Sequence, residues 1–219
     1  MNTRPLMLAS LFVATMLLGF AFYTAAILPD GALLPTHWNA VGEPDKFSSP
    51  LRALMLPPVM VGLSAVLFAV IPKIEPLQDR LEGSAPVLRA GWFGVVLLAI
   101  VIALTMGLPA YGVRLPVKTV FVGVGAFLVI VGNALPKSRP GFFVGIRTPW
   151  AIIDTDNWIA THRLGGRLMM LAGLVIIVAG ILPLQAETTA IVLIAAVATS
   201  ALVPFVYSWW LWYTRKQRS

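Results

Sequence analysis

The sequence predicts an all-α integral membrane protein with six transmembrane helices. Of its 219 residues, 58% are hydrophobic and only 11% charged, whereas a soluble domain carries about 25% charged residues. The apolar residues fall in six runs, near 6–28, 53–72, 90–110, 117–135, 168–184 and 189–213. Each approaches the roughly 20 residues that a helix needs to cross the hydrocarbon core. None alternates in the way barrel strands do.

The first run is too long for a signal-peptide core and lacks a cleavage site after it, so it reads as an uncleaved helix. No run has a charge in its middle, and Lys118 at the edge of the fourth can snorkel to the interface. The fifth run is short, and Gly166 just before it lies seven residues from Gly173 and fourteen from Gly180, a smooth stripe for close helix approach. The sixth ends in Trp209, Trp210, Trp212 and Tyr213 followed by Arg215 and Lys216. Aromatic rings favour the interface, and cations beyond them favour anionic lipid.

Basic residues in short loops set orientation. With the N-terminus inside, the inner segments hold Arg4; Lys73, Arg80 and Arg89; Lys137, Arg139, Arg147, Arg163 and Arg167; and Arg215, Lys216 and Arg218. The outer segments hold only Lys46, Arg52, Arg114 and Lys118. Both termini are therefore expected inside. The net charge of +7 is accounted for by topology, and direct nucleic-acid binding is not expected. The chain has no cysteine, which excludes disulfides, thiol catalysis and thiolate metal sites.

Two loops are more than connectors. The outer one runs from Pro29 to about Arg52 and is long for a helix connection. Trp38, Val41 and Phe47 are expected to be buried in it, which argues against disorder. Val41-Gly42 and Glu43-Pro44 read as turns, and Asn39 and Asp45 could hold them by side-chain to backbone bonds. His37 has no second ligand at a metal spacing, so no metal is assigned there.

The inner loop, residues 136–166, combines Arg147 with Asp154 and Asp156, Trp150 with Trp158, and His162. Pro149 holds Thr148 extended. Asp154, Thr155 or Asp156 could cap a helix on which Trp158 and His162 lie one turn apart. Arg147 is expected either to pair with Asp154 or Asp156, or to clamp a phosphate or carboxylate.

Gly132-Asn133, Lys137, Phe143-x-Gly145-Ile146-Arg147-Thr148-Pro149-Trp150 and Trp158-x-x-Thr161-His162 are together similar to the signature of the SdpI family of bacterial membrane proteins. The outer stretch Pro35-x-His37-Trp38-Asn39-x-x-Gly42-x-x-Asp45 resembles a domain of unknown function often fused before it. This divides the chain into an N-terminal two-helix region, 1–88, with the outer motif loop, and a four-helix region, 89–219, with the cytoplasmic motif loop.

The resemblance implies a multi-pass protein of the bacterial inner (plasma) membrane. It implies immunity to, or sensing of, a secreted peptide toxin, and recruitment of a cytoplasmic winged-helix repressor. The candidate outer contacts are His37, Trp38, Asn39, Gly42 and Asp45. The candidate inner residues, binding or structural, are Asn133, Arg147, Thr148, Pro149, Trp150, Trp158 and His162. Membrane lipids are the remaining expected partner, and no cofactor is expected.

An enzyme is not expected. The two histidines lie on opposite sides of the membrane, and no serine elbow, paired membrane aspartates or zinc helix occurs. The alternative is a small transporter or lipid or peptide flippase built as an inverted 3 + 3 repeat, for which Thr36-His37 and Thr161-His162 are the internal echo. The spans lack ionisable residues of the kind that mark coupled pathways, which counts against it.

Overall fold

The computed structural model describes residues 2–39, 41–76 and 78–217, with 78–82 described as backbone only. Arg218 and the side chain of Arg80, both counted above among the inner cations, lie outside it. The long helices are α1 Arg4–Ile27, α3 Leu56–Ile74, α4 Gln78–Gly107, α5 Lys118–Ala134, α7 Thr155–Ile181 and α8 Ala186–Lys216. Two short helices, α2 Pro50–Leu54 and α6 Pro149–Ile153, lead into α3 and α7. Six helical segments are long and apolar enough to cross a membrane, α2 and α3 together forming one of them.

Two helices begin earlier than hydropathy alone suggests, α4 at Gln78 and α7 at Thr155. The first turns of α7 hold Asn157, Trp158, Thr161 and His162, all buried. Their polar groups face protein rather than lipid, so apolarity is no guide to where this helix starts. α4 runs unbroken across residues 88 and 89, so the two sequence regions share a helix.

The N-terminal spans pack α3 between α1 and α4. Leu17, Val61, Ala99 and Ala103 form their central layer. Trp92 of α4 donates to Ser10 Oγ of α1 at 2.8 Å, which satisfies its indole N–H inside the bundle. In the C-terminal half α7 lies between α5 and α8. There the glycine stripe does as expected: Gly166, Gly173 and Gly180 meet Gly132, Gly125 and Val122 of α5. A Cβ on Gly166 would stand 2.6 Å from the Gly132 carbonyl oxygen, so the backbones touch directly. Lys118 Nζ donates to the carbonyls of Leu182 and Leu184 at 2.9 Å, satisfying the C-terminal end of α7.

The outer loop is not purely irregular. It forms a two-stranded antiparallel hairpin, β1 Leu34–Trp38 with β2 Pro44–Ser48. Leu34 faces Ser48 and Trp38 faces Pro44, with register irregularities on either side of His37. Helix periodicity could not reveal it, because the strands are short and each contains a proline. The two Thr-His pairs sit differently, Thr36-His37 in a strand and Thr161-His162 in a helix. They give the inverted repeat no support.

Candidate functional site

The motif residues gather at opposite ends of the bundle. At the hairpin end, Asn39 holds the turn. Its Oδ1 accepts the N–H groups of Val41 and Glu43 at 3.1 and 3.0 Å. Gly42 adopts φ +83°, and a Cβ there would come within 2.7 Å of Ala186 Cβ at the start of α8. A side chain at 42 would therefore push the hairpin tip off the C-terminal half.

Among the described residues, Asp45 bonds across the strands rather than to the turn backbone. Its Oδ1 meets His37 Nδ1 at 2.5 Å across the strands, in the open. The bond to His37 holds the Asp45 carboxyl below its ordinary range. Trp38 is half-buried against a layer containing Ala21, Leu34, Leu54 and Met106. Val41 and Phe47, expected inside, are 57% and 52% exposed. Leu34 and Trp38 already fill the face that meets α1, α2 and α4, which leaves Val41 at the turn and about half of Phe47 open. Under the hairpin runs an open cleft of about 440 Å³, lined by Trp38, Phe47, Thr105, Pro109, Arg114 and Val117 among others.

At the other end, residues 138–148 have almost no regular structure, and side chains from α4, α7 and α8, with Glu75 just past α3, take up their polar groups. Trp158 Nε1 donates to Ser138 Oγ at 3.1 Å. Ser84 Oγ accepts the Arg139 N–H at 2.9 Å and donates to the Arg139 carbonyl at 3.1 Å. The buried Glu75, just past α3, accepts the N–H groups of Phe142 and Phe143, both at 3.0 Å. His162 Nε2 accepts the Ile146 N–H at 2.8 Å.

His162 Nδ1 lies 2.8 Å from the Trp158 carbonyl. Nδ1 must carry the proton to meet an oxygen, and Nε2 must be bare to receive an N–H, so the ring is a neutral tautomer with both nitrogens in use. Its face stacks on Trp158 with centroids 4.0 Å apart. Gly145, at φ +117°, passes directly over this pair; a Cβ would collide with His162 Nε2 and stand 2.8 Å from the Trp158 ring.

A second buried network closes the loop. Thr148 Oγ1 caps α6 by accepting the Ala151 N–H at 3.0 Å and meets Ser208 Oγ. Ser208 and Thr161 both donate to Asn157 Oδ1, at 2.8 and 3.0 Å. Asn157 Nδ2 donates to the Ser208 carbonyl at 2.9 Å. Pro149 opens α6, and Trp150 packs edge-on against Phe205 and beside Trp212. Asn133 stands exposed on α5, apart from this assembly.

The expected Arg147 ion pair does not form. Arg147 is exposed and its Nη1 donates to the Phe142 carbonyl at 2.9 Å. Arg215 of α8 takes the aspartates instead, at 2.6 Å from Asp154 and 3.8 Å from Asp156. The reason is geometric. Asp154 Oδ1 is turned to cap α7 through the Asp156 and Asn157 N–H groups, and α8 ends directly beside that cap. Burial alone would raise the Asp154 pKa, but the Asn157 N–H and the Arg215 guanidinium outweigh it, and the carboxyl titrates below its ordinary value.

Sequence reading missed Glu75, Ser84, Ser138, Asn157 and Ser208. Asn157 and Thr161, one helical turn apart, offered a signal once the helix start was known. Glu75 offered none, since its partners are backbone amides far along the chain.

Compared with known proteins, residues 137–208 match the SdpI/YfhL protein family. Residues 11–62 match a domain of unknown function, DUF1648. The chain is 23% identical over 146 residues to Immunity protein SdpI of Bacillus subtilis (strain 168), covering 66% of this chain and 68% of that protein. No solved structure matches. The matched segments contain Gly166 and Gly173 of the α7 stripe, the Trp158–His162 stack and the Asn39 turn described above, so the chain carries a segment similar to the SdpI/YfhL family behind a segment similar to DUF1648.

Proposed function

We propose that this chain is a non-enzymatic membrane protein of the immunity or receptor type. Its hairpin meets a secreted peptide outside the cell, and its loop end passes the event to a cytoplasmic partner. The observation that carries the reading is the hairpin's rim. Val41, Phe47 and the His37–Asp45 pair are exposed beside an open cleft with apolar walls and one cation, Arg114. An amphipathic peptide offers the matching apolar face and polar groups. The name of the Bacillus subtilis relative points the same way. At the loop end both nitrogens of His162 are committed to backbone groups, which suits architecture rather than proton transfer.

Both termini are placed in the cytoplasm on the distribution of basic residues. Val41→Cys and Ile153→Cys, both at exposed positions, test this with an impermeant thiol reagent on intact cells. Labelling at 41 and not at 153 is expected; the reverse overturns the orientation. For function, cells expressing the chain are challenged with the secreted peptides of competing bacteria, fractionated from culture supernatants, while a dye reports membrane potential. Protection should fall in His37→Ala and Asp45→Ala at unchanged expression. Protection unchanged in both would overturn a binding role for the hairpin.

A further inference from the structure

The α7–α8 face holds a feature that the proposed function does not use. A cleft of about 320 Å³ opens on the outside of the bundle between Leu168, Leu171 and Val175 of α7 and Ala195, Ala196 and Thr199 of α8. It exists because α8 presents small side chains where α7 presents branched ones. From Leu168 to Val175 it is about 10 Å long at 1.5 Å per residue. It lies within two candidate spans, so hydrocarbon is what surrounds it.

At one end of the cleft the chemistry changes. Arg167 precedes Leu168 and lies one turn from Leu171, and Arg163 lies one turn beyond Arg167. Both are exposed, and neither has a hydrogen bond or ion pair among the described residues. Both fall in the first half of the Thr155–Ile181 helix, just short of the apolar run that begins at 168. The nearby aspartates 154 and 156 are taken by Arg215. The antiparallel register is set by Asn157 against Ser208 and by Gly165 against Pro204. Continued by one turn, it brings Thr199 level with the first residues beyond Arg167.

We propose that this is a binding site for an anionic phospholipid. The phosphate lies against Arg167 and Arg163, the Thr199 hydroxyl meets the glycerol ester region, and one acyl chain fills the cleft down to Val175. An arginine fork suits phosphate, and the apolar walls suit a chain already dissolved in the bilayer. In the orientation proposed above, this end faces the cytoplasmic leaflet, where anionic lipid is held. The site itself does not depend on the immunity reading.

The test uses the full chain purified in detergent, with phosphatidylglycerol or phosphatidylcholine added in mixed micelles. Native mass spectrometry reads retained lipid and thermal melting reads stabilisation. Phosphatidylglycerol should be retained and raise Tm, and phosphatidylcholine should do so much less. Arg163→Ala with Arg167→Ala should weaken phosphatidylglycerol binding by about tenfold, the scale of a lost charge-assisted contact. Ala195→Trp, at an exposed wall position, should block both lipids while the protein remains monodisperse on size exclusion. Arg167→Lys keeps charge without the fork and should retain intermediate binding in a protein that folds. Equal retention of both lipids, or binding indifferent to the arginine and Ala195 variants, overturns the proposal. So does an Ala195→Trp variant that loses a dimer but keeps its lipid, since the cleft would then hold a second copy of the chain.

Discussion

The imidazole of His162 receives the backbone N–H of Ile146 at 2.8 Å. One side chain of α7 thereby fixes the middle of a loop that has no regular structure of its own. The stretch between Gly145 and Thr148 is held as a strap over the Trp158–His162 stack, with Thr148 anchored to Ser208 at its far end. Replacing His162 by Phe keeps an aromatic ring on Trp158 but leaves the Ile146 N–H without its acceptor. A loss of about 1–3 kcal/mol is expected, the cost of one unsatisfied buried donor, read as a lower melting temperature in detergent.

Gly145 and Gly141 should respond differently to the same change. At Gly145, alanine meets both a positive φ of +117° and a collision with His162. Backbone strain alone is about 1–3 kcal/mol. Gly145→Ala should therefore fold poorly or melt well below the parent. At Gly141 the nearest atom to a new Cβ is Glu75 Oε2 at 3.5 Å, an ordinary contact, so Gly141→Ala should melt close to the parent. Equal effects at the two positions would refute the strap geometry.

Glu75 ties the end of α3 to the loop through two amides. Glu75→Leu should release the segment around Phe142 and expose it to protease, with cleavage between 139 and 147 appearing first in limited digestion. Glu75→Gln retains one carbonyl acceptor and should be cut more slowly than Glu75→Leu. Digestion patterns identical to the parent would show that the loop does not need this anchor.

Arg147 and Arg215 divide the roles that one arginine was expected to hold. Arg147→Ala removes a bond from an exposed side chain to the Phe142 carbonyl and should leave the melting temperature nearly unchanged. Any loss it causes should be in protection or signalling. Arg215→Ala removes the partner of Asp154, a pair with side chains 48% and 31% exposed. Such pairs are worth about 0–1 kcal/mol, so a small fall in stability is expected.

Asp154 also predicts a pH dependence. Its folded pKa is depressed below the usual carboxylate value. Its stabilising contribution is therefore fully present above the unfolded pKa, near 3.9. It is lost as the pH falls through the lower, folded value. Asp154→Asn should flatten the fall in melting temperature below about pH 4. A parent and variant with parallel acid profiles would show that Asp154 contributes nothing there.

Several features were legible in the sequence because they depend only on neighbours along the chain. Six apolar runs gave six spanning segments, since crossing hydrocarbon is a matter of local length and hydropathy. The Asn39 turn, the Asp154 cap and the Gly166-Gly173-Gly180 stripe follow from residue type and spacing, and the structure shows all three. What only the tertiary structure decided is which groups meet. Arg215 rather than Arg147 reaches Asp154 because α8 ends beside the α7 cap. Glu75 and Ser84 hold a loop far away in sequence because α3 ends and α4 begins where that loop passes. Phe47 and Val41 stay more than half exposed because Trp38 and Leu34 occupy the inward side of the hairpin. In each case the local residue offers a capacity to bond or bury, and the packing of distant helices selects the partner.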